Sequence, residues 1–392
     1  MKQIIYILLL ALAINVQAQD SFNNVIREIE ANNTTLKAYR EKANADKIGN
    51  KTGINMANPE VEFGYLWGSP SAIGHKIDLN VTQSFDFPTA YKYKNQLADG
   101  KNMQVDMVYN QQCLEILQEA RLLYIQLMYQ TRMHKELSQR LIQARELSDA
   151  YQKSFDQGNI DILERNKTKL NLLSAEKALQ INEVDMNLSK SELQRLNGGL
   201  ELTSTADNYP AFVFPLNFIE WFERIKDNSP SLQAAEQEIA LSRKQEQLTR
   251  ALNLPKITAG YTSERTSGET FQGVSVGISI PLWEGKNTVK HQKAQTVALQ
   301  MQHEDSKLQF RNSLRNQYDK AKKLSLLLKE YQEALSVTNN QGLLKKALDK
   351  GQLSLINYLL ELSVYYETMD KYLETERDYQ LAVAELQQWE RW

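Results

Sequence analysis

The chain has 392 residues, 42% of them hydrophobic, and sets 46 Lys and Arg against 48 Asp and Glu for a formal charge of −2. Neither sign dominates, so a nucleic-acid partner, which calls for a basic face, gets no support. The lone cysteine, Cys113, excludes an internal disulfide and reads as a small packing residue on a helix.

Residues 1–18 have the make-up of a secretory signal: Lys2 gives a positive start, Ile4 to Val16 is apolar, and Val16-Gln17-Ala18 offers small residues at the cleavage positions. Its apolar core is too short to span a bilayer. No later stretch approaches the roughly 20 apolar residues of a membrane helix, so no helical anchor is expected.

The rest of the sequence is a duplication, and a repeat governs the reading of everything inside it. Phe22, Ile26, Ile29, Asn32, Leu36 and Ala38 recur 196 positions later as Phe218, Phe222, Ile225, Asn228, Leu232 and Ala234. Pro59 and Gly64-Tyr65 recur as Pro255 and Gly260-Tyr261. Beyond a loop that differs by three residues the spacing becomes 193, with Pro88 matching Pro281 and Gly158 matching Gly351. The expected organisation is a first repeat over 19–197, a linker over 198–217 and a second repeat over 218–392.

Proline placement separates helix from non-helix. None occurs between Pro88 and Pro210 or after Pro281, and these stretches are rich in Leu, Gln, Glu, Lys and Ala, which lose little side-chain entropy in a helix. The spacing predicts a helix from about 90 to 156, on the order of 100 Å at 1.5 Å per residue, then a turn at Gly158 and a shorter return helix over about 160–196. The second repeat predicts the same from about 286 to 350, a turn at Gly351, and a return over 352–392. Residues 22–56 and 218–253 read as further helices, with Pro230 suited to a first helical turn.

Between the helices lie four short stretches of period-two alternation. In the second, Ile77, Leu79, Val81, Phe85 and Phe87 alternate with Asp78, Asn80, Thr82, Ser84 and Asp86; in the fourth, Val274, Val276, Ile278 and Ile280 alternate with Gly273, Ser275, Gly277 and Ser279. Val61, Phe63, Tyr65 and Trp67 form the first, and Ile257, Ala259 and Tyr261 the third. Strands of about ten residues with one apolar and one polar face suit a barrel wall between lipid and water. Soluble hairpins share the pattern, but here each hairpin is flanked by helices too long for a compact globule. Four strands cannot close a barrel, and open edges are not tolerated in lipid. Three chains supply twelve strands, so the strand number itself points to a homotrimer.

The hairpins ending in Phe87-Pro88 and Ile280-Pro281, the unbroken long helices after them, the junction Pro281-Leu282-Trp283-Glu284-Gly285-Lys286, and the turns Ser154-Phe155-Asp156-Gln157-Gly158-Asn159-Ile160-Asp161 and Ala347-Leu348-Asp349-Lys350-Gly351-Gln352-Leu353-Ser354 together resemble TolC-type outer-membrane efflux proteins. The resemblance covers essentially the whole chain after residue 18. It implies a mostly α fold with a membrane β part: a trimer whose 12-stranded β-barrel in the outer membrane continues into a long periplasmic α-helical barrel. It also implies a passive channel that works with a periplasmic adaptor and an inner-membrane efflux pump, with no cofactor. Ile77, Leu79, Val81, Val274, Val276, Ile278 and Ile280 then face outer-membrane lipid, and Pro88 and Pro281 mark the strand-helix junctions. The tips that close the pore and meet the adaptor fall at Asp156, Gly158, Asp161, Asp349, Lys350, Gly351 and Asn357. Some members carry an aspartate where this chain has Asn357, so an acidic constriction does not carry over there.

Chemistry is sparse elsewhere. His75, His134, His291 and His303 show neither metal-ligand spacing nor a catalytic partner, and no phosphate loop, nucleophile elbow or zinc signature appears, so no enzyme is expected. The alternative reading is a periplasmic adaptor or coiled-coil scaffold, which also uses long helical hairpins.

Overall fold

In the computed structural model, residues 22–203, 209–210, 214–266, 268–337 and 341–390 are described; the expected signal at 1–18 lies outside the described residues. The helices are α1 (22–32), α2 (Thr34–Gly49), α3 (Pro88–Asp156), α4 (Ile162–Leu196), α5 (Phe218–Ile225), α6 (Pro230–Leu252), α7 (Thr288–Val337), α8 (Gln341–Asp349) and α9 (Leu355–Gln387). The strands are β1 (Glu60–Trp67), β2 (His75–Phe85), β3 (Lys256–Thr266) and β4 (Glu269–Ser279). With no proline after its first residue, α3 runs unbroken for 69 residues.

The helix expected from about 286 to 350 is described as α7 and α8, with 338–340 outside the described residues, and two further expected helices are divided. The helix expected over 22–56 breaks at Asn33, which is 2% exposed and works in two directions. Its Oδ1 accepts from the Leu36 backbone N–H at 2.8 Å, capping α2, and its Nδ2 donates to the Leu196 carbonyl at 2.8 Å. Helix α2 then stops at Gly49, where the Thr52 N–H and hydroxyl both bond the Gly49 carbonyl at 3.0 and 2.7 Å. The helix expected over 218–253 breaks at the equivalent place. A 3₁₀ turn, Lys226–Asn228, leads to Ser229, held extended by the proline that follows, and the Ser229 hydroxyl accepts from Leu232 N–H at 3.4 Å. The Asn228 side chain donates to the Trp389 carbonyl at 3.0 Å. In each half the break turns a polar side chain onto the end of the return helix.

The chain forms two compact units, each built from both halves of the sequence. The first takes residues up to Lys37, Gln112–Asn228, and Phe310 onward. One cluster in it packs Phe22, Val25 and Ile29 of α1 against Leu117 and Tyr124 of α3 and Leu193 and Leu196 of α4. Another packs Phe218, Trp221 and Ile225 of α5 against Leu314 and Tyr318 of α7 and Leu386 of α9. Burying each such side chain contributes about 1.5–3 kcal/mol. A third joins Met133 and Leu137 of α3 to Leu373 of α9.

Polar keys fix each entry helix to its own return helix. In the first half, Glu28 accepts from Asn197 Nδ2 at 2.9 Å and from the Thr203 hydroxyl at 2.7 Å. The Thr203 hydrogen bond, with Asn197 adding to it, holds the Glu28 carboxyl below its usual range against the effect of burial. In the second half the charge is reversed: Arg224 lies 3.4 Å from Glu390, which also accepts from Trp221 Nε1 at 2.6 Å.

The second unit takes Ala38–Gln111 and Ser229–Gln309. Ala90 and Leu97 of α3 bury against Leu241, Leu248 and Ala251 of α6. Its four strands form one antiparallel sheet in the order β1-β2-β3-β4. The central pair, β2 with β3, joins the two repeats from Ile77 opposite Arg265 to Phe85 opposite Ile257.

Candidate functional site

Directly opposed residues share a face of an antiparallel sheet, so the registers assign both faces. Val61, Phe63 and Tyr65 stand opposite Val81, Leu79 and Ile77; Val81 and Phe85 stand opposite Tyr261 and Ile257; and Tyr261, Ala259 and Ile257 stand opposite Val274, Val276 and Ile278. One face therefore gathers most of the apolar residues of the four strands, with Gln83 among them opposite Ala259. It is open: Val274, Val276 and Ile278 are 85%, 76% and 65% exposed. Ile280 lies one residue past the end of β4, so its place on this face is not set by pairing.

The apolar stretch also slants across the sheet. On β1 it reaches Trp67 toward the hairpin end, whereas the β3 and β4 residues level with Leu79 and Ile77 are Ser263, Arg265, Gln272 and Thr270. On β3 and β4 the apolar residues sit nearer the helices. Rings mark both ends: Tyr65 stacks on His75 at 5.5 Å beside Trp67, and Phe87 and Trp283 lie exposed at the helix end.

The opposite face is mostly polar, with Leu66 opposite Lys76 and Phe271 opposite Glu264 as its apolar exceptions. Lys76 reaches Glu264 at 3.0 Å and Asp78 at 3.3 Å, and the Ser84 and Thr258 hydroxyls lie 3.3 Å apart. Ser275 stands on this face opposite Gly260, where an added Cβ would meet the Ser275 Oγ at 2.7 Å.

In the first unit, the two helix turns are superposable bond for bond at the 193-residue spacing. Gly158 N–H donates to the Phe155 carbonyl and Asn159 N–H to Ser154, both at 2.9 Å; Gly351 donates to Leu348 at 2.9 Å and Gln352 to Ala347 at 2.8 Å. This closes the last helical turn through a left-handed residue, and Gly158 and Gly351 hold φ of 74° and 68° that a side chain would strain. The next helices are capped at equivalent positions. Asp161 accepts from Glu164 N–H at 2.8 Å, and the Ser354 hydroxyl from Asn357 N–H at 3.3 Å. Asp161→Ala is expected to cost about 1 kcal/mol of local helix stability, read as faster amide exchange over 162–166; wild-type protection there would contradict the cap.

Other tip residues have local roles. Asp156 accepts from Gln152 within its own helix at 2.8 Å. The ion pair at the second tip is made by Lys345, five residues before Lys350, with Glu146 of α3 at 2.7 Å. That hydrogen bond holds the Lys345 ammonium above its usual range, although the pair is exposed and worth less than about 1 kcal/mol. Burial raises the Tyr151 phenol, and the Glu164 and Asp349 carboxylates add to it. Acids from both turns thus act on one side chain.

Above the turns, α3 is fastened to α9. Arg140 forks onto Asp370 at 2.6 and 3.1 Å and lies 4.4 Å from the centre of the Tyr366 ring, while the Tyr366 hydroxyl donates to Gln143 at 2.6 Å. Burial pushes the Tyr366 phenol up to about 12. Arg132 pairs with Glu376 at 2.6 Å, and burial outweighs that pairing to hold the Glu376 carboxyl above its usual range. Helix α4 lies against α3, with Arg195 on Glu119 at 2.8 Å, and α7 lies against α9 through the Trp221 cluster. Sequence reasoning missed Arg140, Tyr366 and Lys345, since nothing local reports a contact with a residue some 200 positions away; the one available signal was a basic residue of one repeat matched to an acidic residue of the other.

Among the described residues no group of three or more His, Cys, Asp or Glu is placed to hold a metal ion, and no helix is long and apolar enough to cross a membrane. No family model matches the sequence, and no curated protein matches it. Solved structures do match the fold. The CmeC outer membrane channel of Campylobacter jejuni is similar over 94% of this chain and 85% of its own, with 14% identity and a TM-score of 0.78. The outer membrane protein VceC of Vibrio cholerae is similar over 94% and 95%, with 13% identity and a TM-score of 0.73. The open state of the MtrE outer membrane channel of Neisseria gonorrhoeae is similar over 94% and 88%, with 12% identity and a TM-score of 0.70. A path shared with three such proteins over 94% of its length gives this chain the fold of the TolC-type outer-membrane efflux channels.

Proposed function

We propose that the chain is one protomer of a passive export duct that crosses the outer membrane and extends into the periplasm as a homotrimer. The observation that carries this reading is the sheet with an apolar band across one face, most exposed on β4, a mostly polar opposite face, and two edges, β1 and β4, left for further strands. Three copies supply twelve strands and remove every edge, the condition for a sheet to sit in lipid. The slant of the apolar band supports it too. Strands tilted by about 35–45° meet a level membrane at positions that shift from one strand to the next. The aromatic residues at both ends suit the two interfaces, and Lys76, Asp78 and Glu264 suit a water-filled lumen.

Energy for transport and choice of substrate belong to an inner-membrane pump, reached through a periplasmic adaptor that docks at the turns around Gly158 and Gly351. A trimer brings six such turns together, and Asp156 and Asp349 each become part of a ring of carboxylates whose mutual repulsion must be offset while the pore is shut. Opening needs only the adaptor's preference for the open arrangement. Replacing Asp156 and Asp349 by Asn and Lys350 by Gln is expected to raise resting conductance in planar bilayers and antibiotic sensitivity in cells, with trimer assembly unchanged. Unchanged conductance in the singles and the triple places the closure elsewhere, nearer Asn357 and Glu361.

Membrane fractionation followed by native mass measurement in detergent tests the whole reading. A trimer recovered from the outer membrane is expected. A soluble periplasmic monomer overturns the duct and favours a scaffold of long helical hairpins.

A further inference from the structure

Resting on the duct reading, we infer that neighbouring copies meet through α4 of one and α7 of the next, in the register of the internal α3–α9 contact. This seam is keyed by an ion pair between Lys177 and Glu333 of opposite polarity to the internal pair Arg140–Asp370.

Within one chain the first unit places α4 beside α3, α3 beside α9 and α9 beside α7, so the two halves of the sequence meet at α3 and α9. The spacing of 193 carries α3 onto α7 and α4 onto α9, and it holds at atomic detail: the Asp161 cap falls on the Ser354 cap, and buried Leu193 on buried Leu386. Applied to the α3–α9 contact, the same shift yields a contact that a single chain cannot make, between α7 and the α4 of another copy. Arg140 becomes Glu333, and Asp370 becomes Lys177. Both partners change sign, so the pair is preserved with its direction reversed.

The surfaces around these charges have the matching character. On α7, Leu326 and Val337 are 54% and 82% exposed, yet their α3 counterparts, Met133 and Ala144, are buried. On α4, Leu173 and Val184 are exposed, and their α9 counterparts, Tyr366 and Arg377, lie on rings or helices of α3: Tyr366 bonds Gln143, and the Arg377 guanidinium sits 4.6 Å from the centre of the Tyr129 ring. A second copy covers both edges.

The reversal of sign decides which edges can meet. With α3 and α9 each flanked on both sides, the free edges are α4 and α7: a parallel seam of α4 with another copy's α4 sets Lys177 against Lys177, and one of α7 with another copy's α7 sets Glu333 against Glu333. The Arg140 side chain is 10% exposed, so charges at this position interact mostly out of water, where repulsion is costly. Only first-half edges against second-half edges satisfy both pairs. The ring therefore closes head to tail with the halves alternating.

The full-length protein in detergent, treated with a zero-length carbodiimide that couples an ammonium to a carboxylate in contact, tests this. Covalent dimers and trimers on denaturing gels, joined in peptide mass spectra by a Lys177–Glu333 amide, are expected. K177E and E333K should each abolish that linkage and lower the temperature at which the oligomer dissociates, and the double variant K177E/E333K should restore both. Both positions are exposed in the single chain, so folding of the protomer is not at risk. A wild-type trimer without the linkage, or a double variant as weak as the two singles combined, overturns the seam and leaves the duct standing. A wild-type chain that stays monomeric overturns the duct, and the seam with it.

Discussion

On the duct reading, Val276→Arg is expected to cost about 2–4 kcal/mol per chain and to abolish recovery of a trimer from the outer membrane, because the guanidinium then sits in the apolar band of β4 against lipid. Val276 is 76% exposed on the face it shares with Ala259 and Gln83, and no neighbouring acid is opposed to it there. Ser275→Arg, one residue away, points to the other face, where Lys76, Asp78 and Glu264 already sit. That variant is expected to assemble normally and to alter single-channel conductance. Assembly yield and conductance for the pair decide the matter. Equal behaviour of the two variants would mean that the faces do not separate lipid from water.

Trp221→Ala is expected to lose about 3–5 kcal/mol, the range for removing a large buried ring and leaving a cavity. Trp221 is 1% exposed in the cluster of Phe218, Ile225, Leu314, Tyr318 and Leu386, and its Nε1 donates to Glu390 at 2.6 Å. Trp221→Phe keeps most of the packing and loses the hydrogen bond, so it should fall between the wild type and the alanine variant. Melting of the helical circular dichroism signal in detergent measures both. An alanine variant as stable as Asp161→Ala, which loses only one exposed cap, would show that this cluster does not hold the unit together.

The long helices, the turns and the two-faced strands were legible because each rests on a local pattern: no proline over α3, glycine at 158 and 351, and alternation along β2 and β4. The break at Asn33 was not. A buried asparagine that serves one helix with its oxygen and another with its amide looks, in sequence, like any polar residue on an amphipathic face. The break at Ser229 was marked by the proline after it, yet that proline was read as a first turn inside a longer element. Among the tip residues, the Asp161 cap is a local bond three residues long, while the fastening of α3 to α8 and α9 through Lys345, Tyr366 and Arg140 depends on pairings across about 200 residues that no local pattern reports. The turn glycines were legible for the opposite reason, since a left-handed residue between two helices leaves few side chains to choose from.

A chain made of two near-equivalent halves faces a sorting problem while it folds: the entry helix of one half has two return helices of similar shape to choose between. The keys on those helices remove the choice. Glu28 is satisfied by Asn197 and Thr203, and Arg224 by Glu390. Exchanged, Glu28 would meet the Glu390 carboxylate and Arg224 would be left with a neutral amide. Drift in these few polar residues after the duplication thus marks each half with its own address, and a misthreaded intermediate carries its own penalty before the rest of the core has closed.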